Sequence, residues 1–124
     1  MNTFIAVFIG GGLGSIARYG ISRLVTSNFE KINPVATLIS NIASTLILGI
    51  ILFYVSTKFS VSTSFKAFII IGFCGGFSTF STFSFEIFEL IRSGNTLMAF
   101  ANIVISIILG IAVLFIIAKS YNTI

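Results

Sequence analysis

Between residues 72 and 86 the chain reads Gly-Phe-Cys-Gly-Gly-Phe-Ser-Thr-Phe-Ser-Thr-Phe-Ser-Phe-Glu. Paired glycines weaken a helix. A helix broken at Gly75-Gly76 exposes carbonyl oxygens that can hold a cation and amide N–H groups that can meet an anion. The alternative is a glycine packing notch with no ion chemistry. Phe80 and Phe83 are three residues apart and share a helix face, with the hydroxyls of Ser81, Thr82 and Ser84 beside them. A phenyl ring is negative over its face and positive at its edge. Rings presented edge-on therefore line an anion path without a fixed charge, and hydroxyls and amides donate the remaining hydrogen bonds. For most other phenylalanines, such as Phe53, Phe100 and Phe115, lipid contact or packing is the simpler role.

Other polar groups lie within apolar surroundings. Asn41 follows Thr37 by one helical turn, and Asn102 and Ser106 make a similar pair. An amide at mid-depth in an apolar span needs a partner or a hydrated path, so each is either a donor to an anion or part of an interhelical hydrogen bond. Arg18 and Glu86 fall toward span ends on the same side, which fits a structural ion pair or snorkelling as well as a functional role. Cys74 reads as a small packing residue.

These residues need a scaffold, and composition restricts which one. The chain has 124 residues, 56% hydrophobic and 8% charged, with no His and no Trp, and its mean hydropathy is +1.15. Soluble domains carry roughly 25% charged residues, so a membrane protein is expected. With no His, one Cys and three carboxylates, Glu30, Glu86 and Glu89, most metal sites and every His-dependent triad are excluded; the chain is not expected to be an enzyme. Uncharged stretches cover 1–17, 32–57, 67–85 and 93–118. A bilayer core of about 30 Å takes about 20 apolar residues per helix. The expectation is an all-α membrane protein with helices over 3–24, 34–56, 64–92 and 96–118, forming one domain over 1–124. A straight helix over 64–92 would reach roughly 43 Å, longer than the hydrocarbon core, which again points to a break. Residues 1–17 lack a basic start, so the first helix is expected to be retained rather than cleaved.

Local signals mark the boundaries. Asn33-Pro34 predicts an N-cap followed by Pro at the first helical position, and Ser93-Gly94-Asn95 predicts the last turn. Small residues recur four apart at Gly10 and Gly14, at Ala36, Ser40 and Ser44, and at Gly72 and Gly76; such rows let helix backbones approach closely in lipid. The glycine run at 10–14 lacks the preceding strand of a dinucleotide loop. With four spans, Lys58, Lys66 and Lys119 fall on one side and Arg18, Arg23, Lys31 and Arg92 on the other. That near-balance gives no clear orientation. It predicts either insertion both ways, with an antiparallel two-fold dimer as the natural closed assembly, or a noisy count in a chain with few charges.

Gly11-Gly12-Leu13-Gly14-Ser15-Ile16-Ala17-Arg18-Tyr19, Pro34-Val35-Ala36-Thr37-Leu38-Ile39-Ser40-Asn41 and above all the 72–86 segment resemble the Fluc (CrcB) fluoride channel family, in order along essentially the whole chain. The resemblance implies a dual-topology antiparallel homodimer in the inner membrane of a microbe, with the third helix broken near Gly75-Ser78 and two parallel pores for passive fluoride efflux. It implies pore roles for Asn41, Phe80 and Phe83, a polar track through Ser81 and Thr82 with Thr37 and Glu86, and a central structural Na⁺ held by backbone carbonyls of Gly75 and Ser78. Arg18 falls on the family's first-helix arginine. One departure stands out: aligned on Ser106 and Gly110, the fourth-helix position that the family fills with Tyr is Asn102. Ala36 and Ala43 also stand where the family commonly has Gly. The implied partners are fluoride, sodium, lipid and a second copy of the chain, with no nucleic acid. Composition and spacing alone support an uncharged, donor-lined path for a small ion; the resemblance supplies fluoride.

Two other classes share the size and charge pattern. A dual-topology multidrug antiporter needs a membrane-embedded carboxylate for proton coupling; the first helix has none, and Glu86 is the only near-candidate. A small structural subunit of a larger complex would use the polar third helix as an assembly surface.

Overall fold

The computed structural model describes residues 2–26 and 33–123; Glu30 and Lys31, which entered the charge count above, lie outside them. The described residues form helices and short connections. Four spans are long and apolar enough to cross a membrane: α1 (Thr3–Val25), α2 (Pro34–Lys58), a third span over Thr63–Arg92, and a last helix (Thr96–Ser120). The third span is two helices, α3 over 63–77 and α4 (Phe80–Arg92). The last helix is α5.

The ends follow from local chemistry. Asn33 Oδ1 accepts from the amides of Val35 at 3.1 Å and Ala36 at 3.4 Å, and Pro34, with no N–H to satisfy, opens α2. At the other boundary Gly94 takes φ +87°, the left-handed region that closes helices most easily with glycine, and the Asn95 amide bonds back to the Leu90 carbonyl at 2.8 Å. The helix widens within α2: the Ser56 amide reaches the Ile51 carbonyl five residues back, a wide turn of the kind that interrupts regular winding. Beyond it, Tyr54 stacks on Tyr121 with centroids 4.6 Å apart, and the Lys58 ammonium lies 4.7 Å above the Tyr54 ring. These contacts join the far end of α2 to the end of α5.

Helices α1 and α3 meet backbone to backbone along the two glycine rows. A methyl built on Gly10 would fall on the Phe68 carbonyl oxygen, and one on Gly14 on that of Phe73. One on Gly76 would fall on the carbonyl oxygen of Gly11, and one on Gly72 would come 2.9 Å from that of Val7. Small-residue seams of this kind replace the hydrophobic driving force that helices lack in lipid. The large apolar side chains, among them Phe4, Phe8, Leu24, Leu97 and Phe115, are mostly exposed, as expected where lipid is the solvent. The buried set is instead Ala6, Ala36, Ser40, Ser44, Ala67, Cys74 and similar small groups.

The break falls later than the glycine pair suggests. Gly75 and Gly76 remain helical, and the chain opens at Ser78 (φ −81°, ψ 159°) and Thr79 (φ −151°, ψ 124°). The pair has divided its tasks. Gly76 is a packing notch against Gly11, whereas Gly75 meets nothing within 4 Å.

Candidate functional site

The break is held from outside its own helix. Asn41 Oδ1 accepts from the Thr79 amide at 2.8 Å, and Asn41 Nδ2 donates to the Thr79 carbonyl at 3.4 Å. The side-chain amide thus pairs with one residue of backbone as a neighbouring strand would, supplying the partners that an apolar environment demands. Thr79 also caps α4, its Oγ1 accepting from the Thr82 amide at 3.2 Å, which is the N-cap geometry favoured by threonine. Below the break, the Cys74 carbonyl accepts from the Ser44 hydroxyl and the Ser78 hydroxyl, each at 2.8 Å. Asn41 is therefore an interhelical hydrogen-bonding residue as well as a candidate donor to an anion.

Beside the break lies a cavity of about 370 Å³, lined by residues of α2, the break, α4 and α5. Its polar lining comes from Asn41, Thr45, Ser78, Thr79 and Ser106, and its aromatic lining from Phe80 and Phe83; no charged side chain borders it among the described residues. The rings of Phe80 and Phe83 stand 6.4 Å apart at 40°, and the Phe80 ring is 81% exposed in the single chain. Such a lining offers weak donors and ring edges in series but no fixed charge to trap an ion. Thr45, whose hydroxyl bonds the Asn41 carbonyl at 2.8 Å, was not among the residues singled out from the sequence. Its place one turn after Asn41 was the available signal.

Of the remaining expected residues, Ser81, Thr82, Thr37, Glu86, Asn102 and Gly75 do not line this cavity, whereas Ser78 and Ser106 do. Ser81 is exposed and its hydroxyl sits 3.4 Å from that of Thr79; Thr82 is half-buried on α4. The Thr37 hydroxyl donates to Glu86 Oε1 at 2.6 Å in a buried pair near the start of α2, and Glu86 Oε2 is buried without a partner. The Ser106 hydroxyl bonds Asn102 Oδ1 at 3.1 Å, leaving Asn102 Nδ2 buried and unpaired. Ser78 opens the break, and Gly75 lies in the last helical turn before it.

Arg18 and Glu86 do not form the ion pair that their positions suggested. Arg18 Nε donates to the Gly76 carbonyl at 3.1 Å, where the C-terminal end of α3 presents its negative dipole end, while Glu86 is taken by Thr37. Arg18→Ala is expected to remove a charge-assisted bond and lower stability by about 1.5–3 kcal/mol, read as an earlier thermal unfolding transition in detergent. An unchanged transition would show that the bond contributes nothing to the fold.

The family profile described as CrcB-like protein, Camphor Resistance (CrcB), matches residues 5–118. The fluoride-specific ion channel FluC of Pyrococcus abyssi is 42% identical over 115 residues, covering 93% of this chain and 92% of its own. That of Flavobacterium psychrophilum is 39% identical, covering 90% of each chain, and that of Pyrococcus horikoshii is 43% identical, covering 88% of this chain and 87% of its own. With four spans of membrane-crossing length and a match running from the first helix into the last, the chain is a multi-pass membrane protein that belongs to the CrcB family.

Proposed function

We propose that the chain is a fluoride-specific ion channel, not an enzyme, and that it lets fluoride leave a microbial cell passively across the plasma membrane. The observation that carries this reading is the uncharged cavity at the helix break, lined by Phe80, Phe83, Asn41 and Ser106, in a chain about 40% identical to channels named for fluoride. Fluoride is small and strongly hydrated, so a selective path must replace its water donors one after another. Conduction also requires that no site hold the ion too deeply. Ring edges and amide or hydroxyl donors meet both demands, with Ser81, Thr82, Thr37, Glu86 and Asn102 extending the polar track away from the cavity. A carboxylate-coupled antiporter is disfavoured because the cavity lining contains no carboxylate among the described residues.

The working unit in this reading is an antiparallel, dual-topology homodimer with two pores and a structural sodium ion at its centre. The exposure of Phe80 and the open space beside Gly75 in a single chain support a second copy there. Backbone carbonyls at a broken membrane helix are the oxygen donors that suit sodium, and Gly75 and Ser78 would supply them; bound there, the ion would neutralise carbonyl dipoles from both chains.

The test of the channel is fluoride efflux from liposomes containing the purified protein, read with a fluoride electrode beside chloride-loaded controls. Rapid, fluoride-selective efflux is expected; folded protein with no flux would overturn the reading. Dual topology is tested separately with single cysteines at Ser60 or Gly94, at opposite ends of the bundle, in a Cys74→Ala background. Each is expected to be about half accessible to an impermeant thiol reagent on intact cells, because half of the copies face each way. Complete labelling of one and none of the other would mean a single orientation.

A further inference from the structure

In an uninterrupted helix each amide bonds the carbonyl four residues earlier. The Thr79 amide would then occupy the Gly75 carbonyl and the Thr82 amide the Ser78 carbonyl. Neither does so here. The first is drawn to Asn41 Oδ1 at 2.8 Å and the second to Thr79 Oγ1 at 3.2 Å. Three of the other carbonyls around the break are occupied: that of Cys74 by Ser44 and Ser78, that of Gly76 by Arg18, and that of Thr79 by the Asn41 amide. Two side-chain acceptors thus divert the amides that would mask Gly75 and Ser78.

We infer that Asn41 and Thr79 are positioning residues for a cation, each freeing one carbonyl by capturing its helical amide. The inference rests on the sodium reading above and gives Asn41 a task separate from any contact with fluoride. An Asn41 side chain couples the two sites physically, because the same amide borders the cavity and pins the break. Without Oδ1 the Thr79 amide is expected to return to its helical acceptor, the Gly75 carbonyl, and the helix to close over the oxygen. Without Oγ1 the Thr82 amide returns likewise to Ser78.

The experiment compares thermal unfolding of the purified, assembled protein in sodium chloride and in N-methyl-D-glucamine chloride. A ligand that binds the folded state alone raises its transition, so the unsubstituted protein is expected to unfold later in sodium. Asn41→Leu and Thr79→Val are each expected to lose more than half of that sodium-dependent shift, whatever happens to their transitions in its absence. Asn41→Asp and Thr79→Ser, which keep an acceptor at the same place, are expected to retain most of it. A full shift in both Asn41→Leu and Thr79→Val would overturn the positioning role and leave the sodium reading standing. If those two fail to assemble, loss of the shift in folded Thr79→Ser would overturn it instead. No sodium shift in the unsubstituted protein would overturn the cation reading and this inference with it.

Discussion

Phe80→Ile protein that assembles normally is expected to lose fluoride efflux by about 30-fold or more. The substitution keeps an apolar side chain of moderate size at the mouth of the cavity but removes the ring and its positive edge. Taking an anion at the ring edge as comparable to a desolvated cation over a ring face, the interaction is worth about 2 kcal/mol, and each 1.36 kcal/mol on a barrier is about tenfold in rate. No neighbouring group can make up the loss, since the cavity lining carries no cation among the described residues. The matching control is Phe100→Ile on α5, a residue 64% exposed that does not line this cavity; its efflux is expected to be unchanged. Equal flux from Phe80→Ile and the unsubstituted protein would remove the aromatic contribution from the proposed path.

Gly14→Ala is expected to destabilise the fold by at least about 3 kcal/mol, the upper end of the usual cost of inserting a methyl into a packed interior. Two features put it there. The added carbon would fall on the Phe73 carbonyl oxygen and within 2.8 Å of the Phe77 amide nitrogen. Both are main-chain atoms of α3, so no rotamer change relieves the clash and the helices must separate. Gly12→Ala, two residues away on the same helix, meets nothing within 4 Å and is expected to behave as the unsubstituted protein. Monodispersity on gel filtration and thermal unfolding in detergent read both variants. Equal stability of the two would mean that α1 and α3 lie farther apart than the glycine seam requires.

Features that depend on neighbours in sequence were legible from the residues alone. Charge-free runs located the four spans, Asn33-Pro34 and Gly94 marked their turns, and the glycine rows marked a close helix pair, because hydropathy, capping and backbone freedom act within a few residues. The residues alone aimed the break at Gly75-Gly76, whereas the resemblance placed it near Gly75-Ser78, and the chain opens at Ser78 and Thr79. The position of the break at Ser78-Thr79 is held by Asn41, 38 residues earlier on another helix, together with the local Thr79 cap, and the Asn41 contribution is carried by no local pattern. For Arg18 and Glu86 the sequence left an ion pair, snorkelling and a functional role open. The structure gives the arginine a main-chain carbonyl and the carboxylate a threonine, partners that charge counting does not reveal. Phe80, Phe83, Asn41 and Ser106 do converge on one cavity, since spacing on a helix constrains which side chains share a face. Thr45 joins them through a hydrogen bond to the Asn41 carbonyl that spacing alone did not single out.

The pairing of Asn41 with Thr79 also sets an order of assembly. Within the 63–92 segment itself, nothing competes with the helical bonds of Thr79, and in lipid an unpaired amide is costly. Before α2 is alongside, the segment is expected to wind through Ser78 and Thr79 as one helix of about 45 Å. That length exceeds an average bilayer core of about 30 Å, and such a helix accommodates by tilting. When α2 arrives, its amide takes over the Thr79 backbone, the rod folds at that point, and the mismatch is relieved. The kink is then completed by docking, with Asn41 of α2 holding the Thr79 backbone while Thr79 Oγ1, on the helix that bends, holds the Thr82 amide.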